Sequence, residues 1–280
     1  MMTLDQLPRH RHWTYPYGPT VPVMPWIMPP VPDELRQIFQ QFGFRQTLNA
    51  GEYIFTQDRS IDALVLLEKG FSGRVFGSLY NQSTAAMALS IPYRLAGGNH
   101  NFWSHRAGNG RYFALTDITV IYLDQDEMKR HTAQDEKLRF YLNVLLELSF
   151  QSDRIGFASI ALLPVLSRLL MYYLSWGFAY AERVTYQGDE WLRFETLLSQ
   201  ERIAQVTSAS IVQIKRCIAE LRKLNMLIRE EPYWYVRAST LDPLWDWLCM
   251  SEEPVCRIER PRQWRQFLDE PLERMTDSAK

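Results

Sequence analysis

The stretch from Leu198 to Ala238 reads LSQERIAQVTSASIVQIKRCIAELRKLNMLIREEPYWYVRA, and it decides how the rest of the chain is interpreted. Ser199 is a favourable N-cap for a first short helix. Residues 207–209 have the composition of a turn, and Ser210 is placed to cap a second helix. In that second helix the apolar residues recur at i, i+4 and i+7, as a buried stripe does: Ile214, Ile218 and Leu221.

The outward face of the second helix is polar and basic. It carries Gln213, Lys215, Arg216, Arg222 and Lys223. Two β-prone stretches follow, separated at Glu231-Pro232, and they predict a hairpin wing. Residues 199–238 hold seven Lys or Arg against four Glu, within a chain whose net charge is −1. Two helices with this outer face and a wing fit the geometry that enters a DNA major groove. The alternative is a helical hairpin that only packs, because Ser208 stands where such turns often have glycine.

Upstream of this segment the hydrophobic pattern is that of short strands separated by turn signals. The predicted strands are Phe44–Phe55, Ala63–Leu67, Phe71–Leu79, Ala85–Ile91 and Tyr112–Leu123. Many short strands with glycines at the corners predict an antiparallel barrel or jelly roll. With the helices that follow, the predicted fold class is α+β.

Between Asp135 and Trp176 the pattern becomes helical. One near-heptad stripe comprises Leu138, Leu142, Leu145, Ser149, Ser152 and Gly156, and a second comprises Tyr141, Leu148, Ile155 and Leu162. We expect one stripe to face the barrel and the other a partner helix, with the small residues allowing a second helix to come close. Self-association is favoured over a helix buried wholly within one chain.

Composition excludes several classes of protein. No run of eighteen apolar residues predicts a transmembrane helix, and the proline-broken N-terminus does not resemble a signal peptide, so we expect a cytoplasmic protein. The three cysteines show no CxxC spacing, so neither a disulfide framework nor a zinc site is predicted. The sequence also lacks a nucleophile elbow, a phosphate loop and paired carboxylates. We therefore predict no enzyme, no catalytic residue, no cofactor and no metal.

At this point the chain resembles the cyclic-AMP receptor protein/FNR (Crp/Fnr) family of bacterial regulators, over about Phe44 to Val236. The resemblance is strongest from Leu198 to Ile228, and it is also visible in residues 49–55 and 66–70. It implies a cyclic-nucleotide-binding-like β-roll, a long dimerisation helix and a C-terminal winged helix-turn-helix. The implied partners are double-stranded DNA, bound at a two-fold-symmetric operator, and a second copy of the chain. RNA polymerase is a further candidate partner, and no membrane partner is expected.

The family pattern carries over to individual residues. It places Ser199 and Ser210 as phosphate-contacting caps, and Ile211, Val212 and Arg216 as base-facing positions. We add Ser208, Gln213 and Lys215 to the predicted DNA-binding set, because they occupy the turn and the outer face. Ile211 and Val212 depart from the commoner Arg and Glu of the family, so the usual operator is not expected. Cys217 is expected to be a small buried filler, with a redox role as the alternative.

The effector region departs further from the family. Where cyclic-nucleotide binders have a Gly-Glu-x-[Gly/Ala] cassette, this chain has Gly97-Gly98-Asn99-His100-Asn101-Phe102-Trp103, without the ribose-binding glutamate. Arg111 matches the phosphate arginine of the family, but Tyr112 replaces the small hydroxyl residue. Asn99, Arg111 and Tyr112 are the candidate ligand-binding residues, the effector is unknown, and control by cyclic AMP is not expected.

The predicted organisation has five parts. They are a proline-rich N-terminal arm (1–32), a β-roll sensor-like domain (33–133), a long dimerisation helix (134–162), a winged helix-turn-helix DNA-binding domain (163–240) and a C-terminal helical extension (241–280). Two other functions stay open. One is a ligand- or protein-binding sensor or adaptor of the same fold that has lost DNA binding. The other is a cupin-type metal enzyme, which the histidines flanking Trp103 suggest but whose metal-ligand spacing is missing.

Overall fold

The computed structural model describes residues 23–55, 62–77, 84–104, 110–195 and 197–252. The predicted arm up to residue 22 and the predicted extension from residue 253 lie outside these ranges. Antiparallel sheets and α-helices both make up the described part, which confirms the α+β fold class. Within those ranges, none of the helices combines the length and the apolarity that a membrane span requires.

The N-terminal half is a β-roll that follows helix α1 (Asp33–Phe42). Its strands are β1 Phe44–Leu48, β2 Tyr53–Phe55, β3 Ala63–Lys69, β4 Ser72–Gly77, β5 Thr84–Ser90, β6 Leu95–Gly97, β7 Arg111–Ala114 and β8 Ile118–Asp124. They form two antiparallel sheets with the strand orders β1-β8-β3-β6 and β2-β7-β4-β5. Apolar side chains from both sheets pack between them, and the roll has its own core.

Two of the predicted strands are each divided in the structure. The stretch predicted as one strand at Phe44–Phe55 forms β1 and β2, with a turn between them in which Gly51 has a φ of 90°. The stretch predicted at Tyr112–Leu123 forms most of β7 and most of β8. The backbone N–H of Ala50 donates to Asp117 Oδ1 at 2.9 Å and joins the two turns. Both breaks fall on polar or glycine-containing segments, Asn49-Ala50-Gly51 and Thr116-Asp117, at which the predicted strands could have been divided.

The sheet β2-β7-β4-β5 has two different faces. In the register of β4 and β7, Arg74 lies opposite Tyr112, and both side chains are buried on the inner face of the roll. Val75 lies opposite Arg111 on the other face. Val75 and Phe113 of this outer face belong to a core that also contains residues of the C-terminal helices. The sheet therefore lines the roll on one side and supports the C-terminal half on the other.

Three helices follow the roll: α2 (Gln125–Gln134), α3 (Glu136–Leu162) and α4 (Val165–Tyr180). The side chain of Asp135 caps α3 by accepting from the backbone N–H groups of Lys137 and Leu138. Residues of both predicted stripes are buried within the chain, namely Tyr141, Leu142, Leu145, Ser149, Ser152, Ile155 and Gly156. Residues of the two stripes are three or four positions apart, so the stripes are neighbours on the helix surface. A single buried face of α3 therefore contains most residues of both stripes.

The small residues of α3 do contact a second segment, but that segment is not a helix. Residues 23–31 form a strap that crosses α3 and pairs with β5 through Ile27 and Leu89. The hydroxyl of Ser152 donates to the carbonyls of Met24 and Ile27 at 2.8 and 3.1 Å. A Cβ at Gly156 would lie 2.8 Å from Trp26 Cδ1, so only glycine allows the indole to approach this closely. The predicted close approach thus involves the chain's own N-terminal strap.

The C-terminal half combines helices with a third antiparallel sheet. Its elements are β9 Glu182–Tyr186, β10 Asp189–Phe194, α5 Gln200–Val206, α6 Ile211–Lys223, β11 Leu227–Glu230, β12 Tyr233–Arg237 and α7 Asp242–Glu252. The sheet order is β11-β12-β10-β9. Trp176 of α4, Phe194 of β10, Ile214 of α6 and Leu248 of α7 meet in one core. That core buries the inner side of α6 and leaves its other side to solvent.

Candidate nucleic-acid interface

Helix α6 begins with a reciprocal cap. The backbone N–H of Gln213 donates to Ser210 Oγ at 3.2 Å, and the backbone N–H of Ser210 donates to Gln213 Oε1 at 2.9 Å. Two backbone donors at the helix start are satisfied in this way. Ser210 and Gln213, which the sequence predicted as DNA-binding residues, therefore also fix the start of α6.

Helix α5 and the turn that follows it position α6. Ser199 caps α5 by accepting from the backbone N–H of Arg202. At the other end Ser208 adopts a φ of 49°, in the left-handed region that a non-glycine residue seldom occupies. The turn therefore has the conformation for which glycine is usual, although its residue is a serine and the backbone of Ser208 is strained. The α5–α6 helix pair has the short connection that the sequence predicted.

The solvent face of α6 brings the predicted base-facing residues together. Val212, Gln213, Lys215 and Arg216 are exposed, with Val212 at 70% of its full accessibility, and Ile211 is half-buried. The opposite face buries Ile214, Cys217, Ile218 and Leu221. Burial raises the pKa of the Cys217 thiol, which favours the unreactive protonated form. Cys217 therefore lies where a packing residue is expected.

The hairpin β11–β12 lies beside α6 and extends its basic surface. Arg222 of α6 and Arg229 of β11 both lie over the ring of Trp234, with their guanidinium carbons 5.2 and 5.1 Å from its centroid. Cations over an indole face are attracted by its quadrupole. Arg229 also pairs with Glu231 in the hairpin turn. Trp234 was not among the predicted site residues, although its place in a β-prone stretch after the helix indicated the hairpin.

A second polar site lies inside the roll, next to α3. Arg74 Nη2 pairs with Asp153 Oδ2, and Arg74 Nη1 donates to the hydroxyl of Tyr112 at 3.3 Å. His100 Nε2 lies 3.3 Å from the same Asp153 oxygen. We call these four residues the Arg74 cluster. Burial, assisted by Arg74, lowers the pKa of His100 to about 2. Burial also raises the pKa of Asp153, and Arg74 opposes that shift.

The three candidate ligand-binding residues occupy different surroundings. Tyr112 belongs to the Arg74 cluster, and Asn99 is buried in the loop after β6. Arg111 lies on the outer face of the sheet, since successive residues of a strand point to opposite sides. Arg74 is therefore the guanidinium that reaches Tyr112. His105, one of the histidines considered for a metal, lies outside the described residues.

The interior beside Gly97 is filled by an aromatic ring. A Cβ at Gly97 would lie 2.3 Å from Phe55 Cε1, and the Phe55 and Tyr112 rings are 4.3 Å apart between centroids. The Phe55 ring and the Arg74 cluster therefore lie beside residues 97–103, which stand in place of the cyclic-nucleotide cassette.

Solved structures with a similar fold are transcription regulators. FixK2 from Bradyrhizobium japonicum matches with a TM-score of 0.60 and 12% identity, over 72% of this chain and 96% of that one. A CRP-family transcriptional regulator from Thermus thermophilus matches with a TM-score of 0.53 and 18% identity, over 71% and 94%. The c-di-GMP-responsive global regulator CLP of Xanthomonas campestris matches with a TM-score of 0.56 and 10% identity, over 74% and 100%.

These likenesses confirm the predicted resemblance at the level of fold. The fold of the chain is Crp/Fnr-like, and at these identities the likeness establishes the fold alone. No protein-family model and no curated protein match the sequence significantly.

Proposed function

We propose that the chain is a sequence-specific transcription regulator that binds DNA as a homodimer, through a winged helix-turn-helix made of α5, α6 and the β11–β12 hairpin. The observation that carries the proposal is the solvent face of α6, where Gln213, Lys215 and Arg216 stand exposed beside the apolar Val212. A helix of this kind, rigidly capped and supported from behind by a core, has the form that a major groove accommodates.

The exposed residues divide into two kinds of contact. Arg216 is proposed to read a base, because a guanidinium can donate to both O6 and N7 of guanine. Val212 and Ile211 can meet thymine methyl groups. Lys215, together with Ser199, Ser208 and Ser210 at the ends of α5 and α6, is proposed to contact phosphates. Phosphate contacts set the register of the protein on the duplex, and base contacts set its specificity.

The proposed dimer uses the exposed face of α3. Phe150 and Phe157 lie two turns apart on this face and are 50% and 46% exposed. They recur at the heptad interval that places side chains in a helix–helix seam. Glu147 and Arg154 are also exposed, each three residues before one of these rings, and they repeat at the same interval. Two copies of α3 would bury these aromatic rings and give the two-fold symmetry that a palindromic operator requires.

Control by cyclic AMP is not part of the proposal. Within the Arg74 cluster, the buried Arg74 guanidinium already pairs with the carboxylate of Asp153, and Phe55 fills the space beside Gly97. An incoming cyclic phosphate would have to displace Asp153 from Arg74. Asn99, Arg111 and Tyr112 remain the candidate residues for any other effector, and Arg74 is added to them.

Selection of bound sequences from a random duplex pool tests the proposal, with purified protein and no added nucleotide. We expect enrichment of a two-fold-symmetric motif. Arg216→Ala should lose that motif, whereas Arg130→Ala, at an exposed arginine on α2, should keep it. If no motif is enriched, with or without cyclic AMP and cell extract, the proposal fails and an adaptor that has lost DNA binding is favoured.

A further inference from the structure

Arg168, in the first turn of α4, joins two parts of the molecule that are distant in sequence. Its Nε donates to the carbonyl of Leu163 at 3.0 Å. Its Nη1 donates to the carbonyls of Thr207 and Ser208 at 2.9 and 3.1 Å. Leu163 is the C-cap of α3, and Thr207 is the C-cap of α5. One guanidinium therefore binds the C-terminal ends of two helices.

The chemistry of these ends suits a guanidinium. The last carbonyls of a helix have no partner within the helix, and the helix dipole places partial negative charge on them. Arginine keeps its charge at all relevant pH values and has five donors in a planar arrangement. A lysine ammonium is a point charge on a flexible stem, so it cannot match this fixed fork across two separate helix ends.

The two bound ends matter for different reasons. Helix α3 carries the exposed Phe150 and Phe157 of the proposed dimer seam. Ser208 holds a φ of 49° and is followed, two residues later, by Ser210, the N-cap of α6. A left-handed conformation at a serine costs energy and persists only when neighbouring contacts hold it. The bonds from Arg168 to Thr207 and Ser208 are such contacts.

We propose that Arg168 is a positioning residue that sets the direction of α6 relative to α3. This inference rests on the proposed function, because the direction of α6 matters only if α6 binds DNA. In a symmetric dimer the two recognition helices must reach half-sites roughly 34 Å apart, one helical turn of DNA. With α3 as the dimer axis, the angle between α3 and α6 sets that separation. Arg168 itself makes no DNA contact in this role.

The test compares Arg168→Lys with Arg130→Lys, a change at an exposed arginine on α2. The duplexes carry the selected operator with its half-sites at the native spacing, or one base pair closer or farther apart. Wild type and Arg130→Lys should discriminate among the spacings. Arg168→Lys should lose about tenfold affinity at the native spacing, in the usual range for coupling between sites, while its affinity for a single half-site is unchanged. Spacing discrimination equal to that of wild type would overturn the proposal.

Backbone hydrogen exchange provides a second readout that does not depend on DNA. In Arg168→Lys we expect faster exchange at residues 208–213, with the roll and the C-terminal sheet unchanged. Faster exchange throughout the C-terminal half would indicate a purely structural role and overturn the proposal, as would no change at residues 208–213. If wild type enriches no operator, the proposed function fails, and the exchange result still decides whether Arg168 holds this turn. If Arg168→Lys does not fold, Arg168→Gln, which keeps amide donors without the charge, takes its place in both measurements.

Discussion

The guanidinium of Arg202 in α5 lies over the ring of Phe113 in β7, with its carbon 5.1 Å from the ring centroid. This contact joins the first helix of the α5–α6 pair to the outer face of the roll. Phe113 shares one hydrophobic core with Ile203 and Val206 of α5. The roll and the C-terminal half are thus packed together within one chain, and the outer face of α6 stays exposed in this arrangement.

Phe113→Ala is expected to separate the unfolding of the two halves. Truncation of a buried phenylalanine typically costs about 3–5 kcal/mol of unfolding free energy, and here the loss falls on the interface between the roll and α5. Calorimetry should show two transitions in place of one. Phe44→Ala, at an exposed ring, should change the unfolding free energy by no more than about 0.5 kcal/mol. A single unshifted transition in Phe113→Ala would contradict the shared core.

Arg216→Ala and Lys215→Ala should weaken DNA binding in different ways. Arg216→Ala is expected to lose about 1–3 kcal/mol on the selected operator and much less on random duplex, because its contact is to a base. Lys215→Ala should weaken binding to all duplexes alike and lower the salt slope by about one unit. Titrations at several salt concentrations measure both effects. An equal loss on both kinds of duplex for Arg216→Ala would argue against base reading.

Asp153→Ala should destabilise the roll strongly. The change leaves the Arg74 guanidinium buried without its carboxylate, and breaking such a pair typically costs about 3–5 kcal/mol. The double variant Arg74→Met with Asp153→Leu removes both charges, so it should be considerably more stable than Asp153→Ala. Urea unfolding followed by far-ultraviolet circular dichroism measures the free energies. A double variant as unstable as the single one would show that the charges are not the cause.

Stability should fall as the pH drops below about 6.5, where an unfolded histidine gains a proton. Because the pKa of His100 is lowered to about 2 in the fold, the unfolded chain binds one more proton between these values. Each pH unit in this window removes at most about 1.4 kcal/mol. Asp153, whose raised pKa favours proton uptake in the fold, acts in the opposite direction.

His100→Asn separates the two contributions. In this variant no histidine at position 100 makes the unfolding free energy depend on pH. The difference in unfolding free energy between wild type and the variant should therefore shrink as the pH falls. Urea titrations at a series of pH values provide the comparison. A difference that does not depend on pH would show that His100 is not held neutral.

Gly156→Ala should destabilise the chain, although alanine is the better helix former by about 1 kcal/mol at an unhindered position. The added methyl would meet the Trp26 indole, so the strap has to shift away from α3. Tryptophan fluorescence and the rate of proteolysis before residue 32 both report this movement. Increased stability with an unchanged strap would refute the proposed fit between Trp26 and Gly156.

Local patterns predicted the elements that depend on local chemistry. Ser199 and Ser210 do cap α5 and α6, and Ile214, Ile218 and Leu221 are buried as their spacing indicated. These features depend on hydrogen bonds and periodicity within a few residues, which a single sequence displays. The Crp/Fnr-like fold was implied by the resemblance of the sequence to that family, and the structural likenesses confirm it.

The contacts that sequence reasoning missed join distant residues. Arg74 and Asp153 are 79 positions apart, and Arg168 reaches Thr207 across 39. No periodicity marks such pairs, since they depend on how the sheets and helices are arranged in space. The small residues of α3 did indicate a close approach, but their pattern could not identify Trp26 as the residue that approaches.

The cap at the start of α6 limits which base groups the helix can hydrogen-bond in the proposed complex with DNA. Gln213 Oε1 already accepts from Ser210, so its amide N–H groups are what it offers outward. Lys215 and Arg216 have only donors, and Val212 has only methyl groups. From Val212 to Arg216, therefore, the helix presents donors and hydrocarbon but no side-chain acceptor for a base amino group. In the major groove, guanine shows two acceptors and thymine an acceptor and a methyl group, whereas cytosine shows an amino donor and adenine an amino donor beside its N7 acceptor. Under the proposed function, we therefore expect the contacted strand of a half-site to consist chiefly of G and T.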